Sequence, residues 1–140
     1  MTAENEHCER DVVIGMYDTD DRKLVRTIAE SKTPGVSRAQ EIVNFAKCAG
    51  MRKIGIAHCI GVANAADSFE KMLTEEGFVV TRADCKVFGL DAGEVLEGGS
   101  GPMCNPVGQA KVLAAAGTEL NVVMGLCLGH DMLFAKHSAA

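Results

Sequence analysis

Apolar residues along the chain come in two kinds of stretch, short dense runs and longer segments with an apolar position every three or four residues. RKIGIAHC (52–59), FVVTRADC (78–85) and ELNVVMGLC (119–127) are of the first kind and predict buried strands. The second kind predicts helices. DRKLVRTIAESK (21–32) spaces Leu24, Val25 and Ile28 helically and is closed by TPG at 33–35. Ser37 then caps a helix, with Gln40 three residues on as in a capping box, an apolar stripe of Ile42, Val43, Phe45 and Ala46, and a stop at Gly50. A further helix over about 62–76 carries Ala65, Phe69, Met72 and Leu73 on one face and ends at Gly77. Asn105 and Pro106 open another, over about 106–116, which ends at Gly117, and GHDMLFAKHS begins the last. DVVIGMY at 11–17 fits either a short strand or a buried turn, and residues 1–10 are expected to fray.

Strands alternating with helices predict a mainly parallel sheet with helices on its faces. The expected fold is α/β, a small three-layer domain of Rossmann-like or flavodoxin-like kind. The expected organisation is a partly flexible tail over residues 1–17 and a single metal-binding domain over 18–140.

Composition narrows the function. The 140 residues suit one domain, and 47% apolar with 24% charged is ordinary for a globular protein. A net charge of −5 without a basic cluster argues against nucleic acid as a partner, and the lack of Trp against base-stacking platforms. No apolar run reaches the ~20 residues that a membrane span needs. The opening MTAENEHCERD is polar and acidic, unlike a signal peptide, so the expected location is the cytoplasm.

In a reducing compartment, six cysteines point to core residues, catalytic groups or metal ligands rather than to disulfides. Their positions favour ligands. Cys59, Cys85 and Cys127 each end a predicted strand, and Cys104 lies just before a helix. Strand C-termini of an open parallel sheet share one edge, where ligands bind, so four thiols converge there. Thiolates at close range repel unless a cation sits among them, and a soft metal or an iron–sulfur cluster is that cation. No C-x-x-C pair favours a zinc finger. The expected ligands are Cys59, Cys85, Cys104 and Cys127 with His130 in support. The expected cofactor is a [4Fe–4S] cluster, or zinc as second choice. With three cysteines on a cluster, an open iron would suit a small sulfur-containing substrate, with His130 or the remaining thiol as acid, base or acceptor. Cys48 reads as structural, Cys8 as a spectator beside His7, His58 as either ligand or core, and His137 as a helix-end residue.

The stretches SRAQEIVNFAKCAGMRKIGIAHCIGV, GFVVTRADCKV and PMCNPVGQAKVLAAAGTELNVVMGLCLGHDMLFAKHS resemble the domain of unknown function 1847 family, described as predicted metal-binding proteins. The resemblance covers roughly residues 18–138 and implies metal binding through Cys59, Cys85, Cys104 and Cys127, followed by His130 and Asp131. Members often carry a Cys-rich N-terminal segment and a strand beyond the last helix; here only Cys8 stands in the former and the chain stops at Ala140. An open sheet edge would then invite a homodimer.

GLCLGHD also resembles the nucleophile turn of class I glutamine amidotransferases, with EGGSGP (97–102) similar to their oxyanion loop. That alternative makes Cys127 a nucleophile with His130 and Asp131 as catalytic neighbours. It lacks the downstream H-x-E pair, because His137 is followed by Ser, Ala and Ala. GGSG (98–101) has no P-loop Lys-Ser/Thr and reads as a flexible flap over the site.

Overall fold

Backbone hydrogen bonding gives the described residues six α-helices and three strands: α1 (Ala3–Met16), α2 (Thr19–Ser31), α3 (Arg38–Cys48), β1 (Lys53–His58), α4 (Ala63–Glu75), β2 (Val79–Asp84), α5 (Pro106–Ala115), β3 (Leu120–Met124) and α6 (His130–His137). The structure is a computed structural model that describes residues 3–140, with side chains from residue 9 onward, so Cys8 and His7 lie outside its side-chain description. By internal contacts the chain divides into two compact units, residues 1–49 and 50–140.

The first unit is helical. Residues 11–16 belong to α1 and are neither strand nor buried turn: Val12, Val13 and Met16 are all exposed. No strand lies beside them in the sheet, and a helix satisfies its own N–H and C=O groups where a lone strand cannot. Asp18 caps α2 through a reciprocal capping box with Asp21. Arg22 donates back to the carbonyls of Tyr17 and Ile14, at 3.0 Å each, fixing the bend between α1 and α2. Ser37 caps α3 by accepting from Gln40 N, but the Gln40 amide turns to Asn44, so only half of the expected capping box forms.

The second unit holds the sheet, in order β2-β1-β3 with both pairings parallel. That order is the one that opens flavodoxin-like sheets. β1 is central and buried from Ile54 to His58, and burying Ile54 and Ile56 contributes about 1.5–3 kcal/mol each. Both crossovers follow the right-handed rule, which puts α4 and α5 on opposite faces because the chain leaves β1 one way to β2 and returns past it to β3. On the α5 face, Ala57, Ala83, Ala110, Leu113 and Phe134 pack together, joining α6 to the layer. Gly55 is required there, because a Cβ would sit 2.2 Å from Asn121 Oδ1 and 2.9 Å from Leu113 Cδ1. On α4 the buried positions are Ala66, Phe69 and Leu73; Ala65, expected in this stripe, is exposed one position off the face.

Candidate functional site

The cysteines of interest flank the C-terminal edge of this sheet. β1 and β2 run in register to His58 and Asp84, so Cys59 and Cys85 follow side by side. Cys59 caps the 3-10 turn Ile60–Val62, and Cys85 lies in the turn that follows β2. Asn105 N donates to Cys85 O at 2.8 Å, which brings Cys104, one residue earlier, to the same corner. Cys59 N donates to Met124 O at 3.0 Å, stitching the end of β3 to it as well. Four chain segments therefore meet at one rim.

Three of the sulfurs accept hydrogen bonds there. Ile60 N points at Cys85 Sγ (3.5 Å) and Gly61 N at Cys59 Sγ (3.4 Å), both from the single 3-10 turn Ile60–Val62. Lys86 Nζ lies 3.5 Å from Cys104 Sγ. Cys85 is buried, while Cys59 and Cys104 are half-buried.

Cys127 is placed differently. The third strand was expected to run to it, but β3 stops at Met124 because Gly125 takes φ +64°, a left-handed conformation that breaks the pleat. A Cβ at Gly125 would also press on Val62 at 3.0 Å. Cys127 thus sits exposed on a turn, where its carbonyl accepts from His130 N and Asp131 N. The Asp131 carboxylate closes that turn, accepting from Gly129 N (3.0 Å) and Met132 N (2.8 Å). His130 starts α6 half-buried.

His58 belongs to the α4 face. Its Nε2 is 3.2 Å from Arg82 Nη2 and its Nδ1 is 2.9 Å from Cys59 O. Arginine can only donate, so Nε2 accepts and the ring proton sits on Nδ1, aimed at the Cys59 carbonyl. Arg82 also pairs with Glu70 and Asp67 of α4. The hydrogen bond that Arg82 donates to Glu70, and after it that to Asp67, raises the Arg82 pKa above its ordinary value. His58 is thereby a core side chain that orients Cys59.

Gln109 and Lys86 were not singled out from the sequence. Gln109 is fully buried and its Nε2 donates to Ala83 O (2.8 Å) and His58 O (3.1 Å), clamping β1 to β2 just before the two cysteines. Its Oε1 is buried without a hydrogen-bond partner. A polar residue between Gly108 and Ala110, in a helix whose other polar side chain is Lys111, was the available signal. Lys86 announced itself only by following Cys85. Asn105, as expected, caps α5 by accepting from Gly108 N at 2.8 Å, and it also holds Val87 O. Phe88 beside it is exposed with φ +68°, a conformation that costs a residue other than glycine about 1–2 kcal/mol.

The segment at 91–102, whose GGSG (98–101) was expected to be a flexible flap, is closed on itself. Asp91 accepts from Gly93 N and Gly101 N, Ala92 N reaches Gly101 O, and Met103 N reaches Leu90 O across the neck. Gly93 and Gly99 approach so closely that a Cβ on either would meet backbone of the other strand of the loop within 3 Å.

Among the described residues, no group of three or more His, Cys, Asp and Glu side chains stands arranged to hold a metal ion. The donor chemistry nonetheless suits a soft ion, being thiol from Cys59, Cys85 and Cys104 with N–H donors already on the sulfurs.

The fold defines an α/β protein with a parallel three-stranded sheet flanked by helices. The chain belongs to the family described as Protein of unknown function (DUF1847), which it matches over residues 1–140. It is 44% identical over 109 residues to the uncharacterized protein MJ0455 of Methanocaldococcus jannaschii, a match that covers 74% of this chain and 56% of that protein. The chain therefore spans little more than half the length of this curated relative. No solved structure matches it. No helix among the described residues is long and apolar enough to cross a membrane.

Proposed function

We propose that residues 50–140 bind a soft metal centre, an iron–sulfur cluster in preference to zinc, through Cys59, Cys85 and Cys104. Cys127 is the fourth ligand or the free thiol beside the centre, and His130 supports it. What supports the reading is the donor chemistry: Cys59, Cys85 and Cys104 come from three separate segments that follow or adjoin the strand C-termini, and each sulfur accepts an N–H donor. Metal-bound thiolates are acceptors only and are tuned by such donors. Loading requires Cys104 to leave Lys86 and the turn carrying Cys127 to fold inward, since the side chains do not stand as a ready ligand set.

The chemistry such a centre supplies is Lewis-acid binding of a small sulfur-containing substrate or electron transfer. Lys86 then offers a cation for an anionic sulfur group at the rim. A reducing cytoplasm keeps the thiols available, and the outer edges of β2 and β3 leave room for a second copy of the chain; a net charge of −5 disfavours nucleic acid as a partner.

The test is purification under anaerobic and aerobic conditions, with iron, zinc and acid-labile sulfide measured alongside a visible spectrum. Iron and sulfide in near-equal amounts support the cluster; zinc without sulfide selects the second choice; neither, after anaerobic reconstitution, defeats the reading. The alternative, a cysteine nucleophile at Cys127, rests on that thiol's exposure on a sharp strand-to-helix turn. Cys85→Ser separates the two: it abolishes metal binding on the first reading and leaves Cys127 reactivity intact on the second.

A further inference from the structure

We propose that Cys59 and Cys85 form a reversible intrachain disulfide, with Cys59 as the thiol attacked first by solvent and Cys85 as the resolving thiol. The inference stands on the metal-free chain and does not require the centre proposed above.

Parallel register ends at the His58–Asp84 pair, and the two cysteines are the next positions on neighbouring strands. Adjacent strands lie about 4.8 Å apart. That spacing falls inside the window of about 4.4–6.8 Å between the Cα atoms of disulfide-linked residues. Each lies one residue past its strand, Cys59 as the cap of the Ile60–Val62 turn and Cys85 in the turn after β2. Their sulfurs are held by consecutive backbone N–H groups of one turn, Ile60 N for Cys85 and Gly61 N for Cys59. Consecutive N–H groups of such a turn form a concave nest for anionic atoms, so the two sulfurs share a single backbone cradle. Gln109 locks the separation of the strands at this height by bonding His58 O and Ala83 O together.

Exposure assigns the order of events. Cys85 is only 2% exposed, whereas Cys59 is half-buried and meets solvent. The oxidant class is a low-molecular-weight disulfide. The Cys59 thiolate attacks one sulfur of that reagent, breaking its S–S bond and releasing one small thiol. Cys85 then attacks Cys59 Sγ, breaking the mixed disulfide and releasing the second. The two protons lost by the cysteines leave on the two small thiols, the protein pair is oxidised by two electrons, and the reagent is reduced by two. Cys104 is drawn aside by Lys86 and Cys127 sits on a separate exposed turn, so neither competes for the cradle.

The test uses the full chain, stripped of metal by a chelator and exposed to oxidised glutathione under native conditions. Free thiols are then alkylated and peptides mapped by mass. The expected result is one cross-linked peptide pair carrying Cys59 and Cys85, lost on treatment with excess dithiothreitol. Cys127 and Cys48, both exposed, should instead carry glutathione. In Cys85→Ser, glutathione should accumulate on Cys59; in Cys59→Ser, Cys85 should remain free until the chain is unfolded. Cys85 staying free in the unsubstituted chain while Cys59 carries glutathione overturns the proposal, as does linkage of Cys59 to Cys104 or Cys127. Metal analysis of the untreated chain is a separate measurement, so a failure of either proposal is visible without the other.

Discussion

The two ends of the sheet meet the same difficulty with different materials. At each, a strand finishes and leaves backbone groups that need partners. The N-terminal end is closed by an exposed carboxylate: Glu119 accepts from Arg52 N (2.8 Å) and Lys53 N (2.9 Å) through one oxygen. Its own N–H returns to Lys53 O at 2.8 Å, and Val79 N reaches Arg52 O. The C-terminal end is closed instead by a buried amide, Gln109, by the Asn105 backbone, and by N–H groups that terminate on sulfur rather than oxygen. Water could satisfy the first end if Glu119 let go. It cannot reach Gln109, which is fully buried at the second. The C-terminal end is therefore the one whose geometry is held by an interior contact.

If that contrast is real, Gln109→Leu is the most damaging substitution at either end. It leaves His58 O and Ala83 O without their shared donor in the interior, at about 1–3 kcal/mol for each group and so about 2–6 kcal/mol in all. A urea titration reads this as a lower midpoint at unchanged slope. A loss below about 0.5 kcal/mol, within the scatter of ordinary surface changes, would mean the two ends are alike. Asn105→Ala should come next, at about 1–2 kcal/mol, because it removes the α5 cap as well as the grip on Val87 O.

The thiols themselves sharpen the comparison within the rim. Cys85→Ser puts a hydroxyl into a site 2% exposed, with one N–H to bond, and should cost about 1–2 kcal/mol in the metal-free chain. Cys127→Ser, on an exposed turn, should stay within about 0.5 kcal/mol of the parent. Equal effects would place both thiols in one environment, against the burial difference. After anaerobic reconstitution, iron or zinc content should fall more for Cys85→Ser than for Cys127→Ser.

How much of this was readable beforehand follows from where the physics is local. The β1 and β2 boundaries came within a residue or two because dense apolar runs end at polar residues, and Cys59 and Cys85 were located with them. Caps at Ser37 and Asn105 were equally local. The third strand was read too long, since Gly125 looks like any glycine until its positive φ is seen, and so Cys127 was put on a strand end rather than out on a turn. His58 could not be assigned without knowing that Arg82, 24 residues on, lies beside it across the sheet. The Gln109 clamp spans 51 residues to His58 and was invisible for the same reason. The α1 helix was missed because its apolar residues do not mark a buried face: they are exposed.

The smallest effect belongs to the exposed end and is a matter of pH. The hydrogen bonds from Arg52 N, then from Lys53 N, hold the Glu119 carboxyl below its usual pKa, with the nearby cationic side chains adding to them. In the unfolded chain the group titrates near its ordinary value of about 4.3. A folded-state pKa that is depressed means the unfolded chain binds the proton more readily, so the contribution is fully present above the unfolded value and is lost as pH falls through the folded one. Glu119→Gln keeps an oxygen for the two N–H groups but has no charge to lose. The parent should therefore be slightly more stable than the variant at neutral pH, with the gap narrowing as the solution is acidified below the ordinary carboxylate range. Urea midpoints for both chains at pH 7 and pH 3 check it. A gap that widens on acidification would reverse the sign and remove the carboxylate from its place as the closing element of that end.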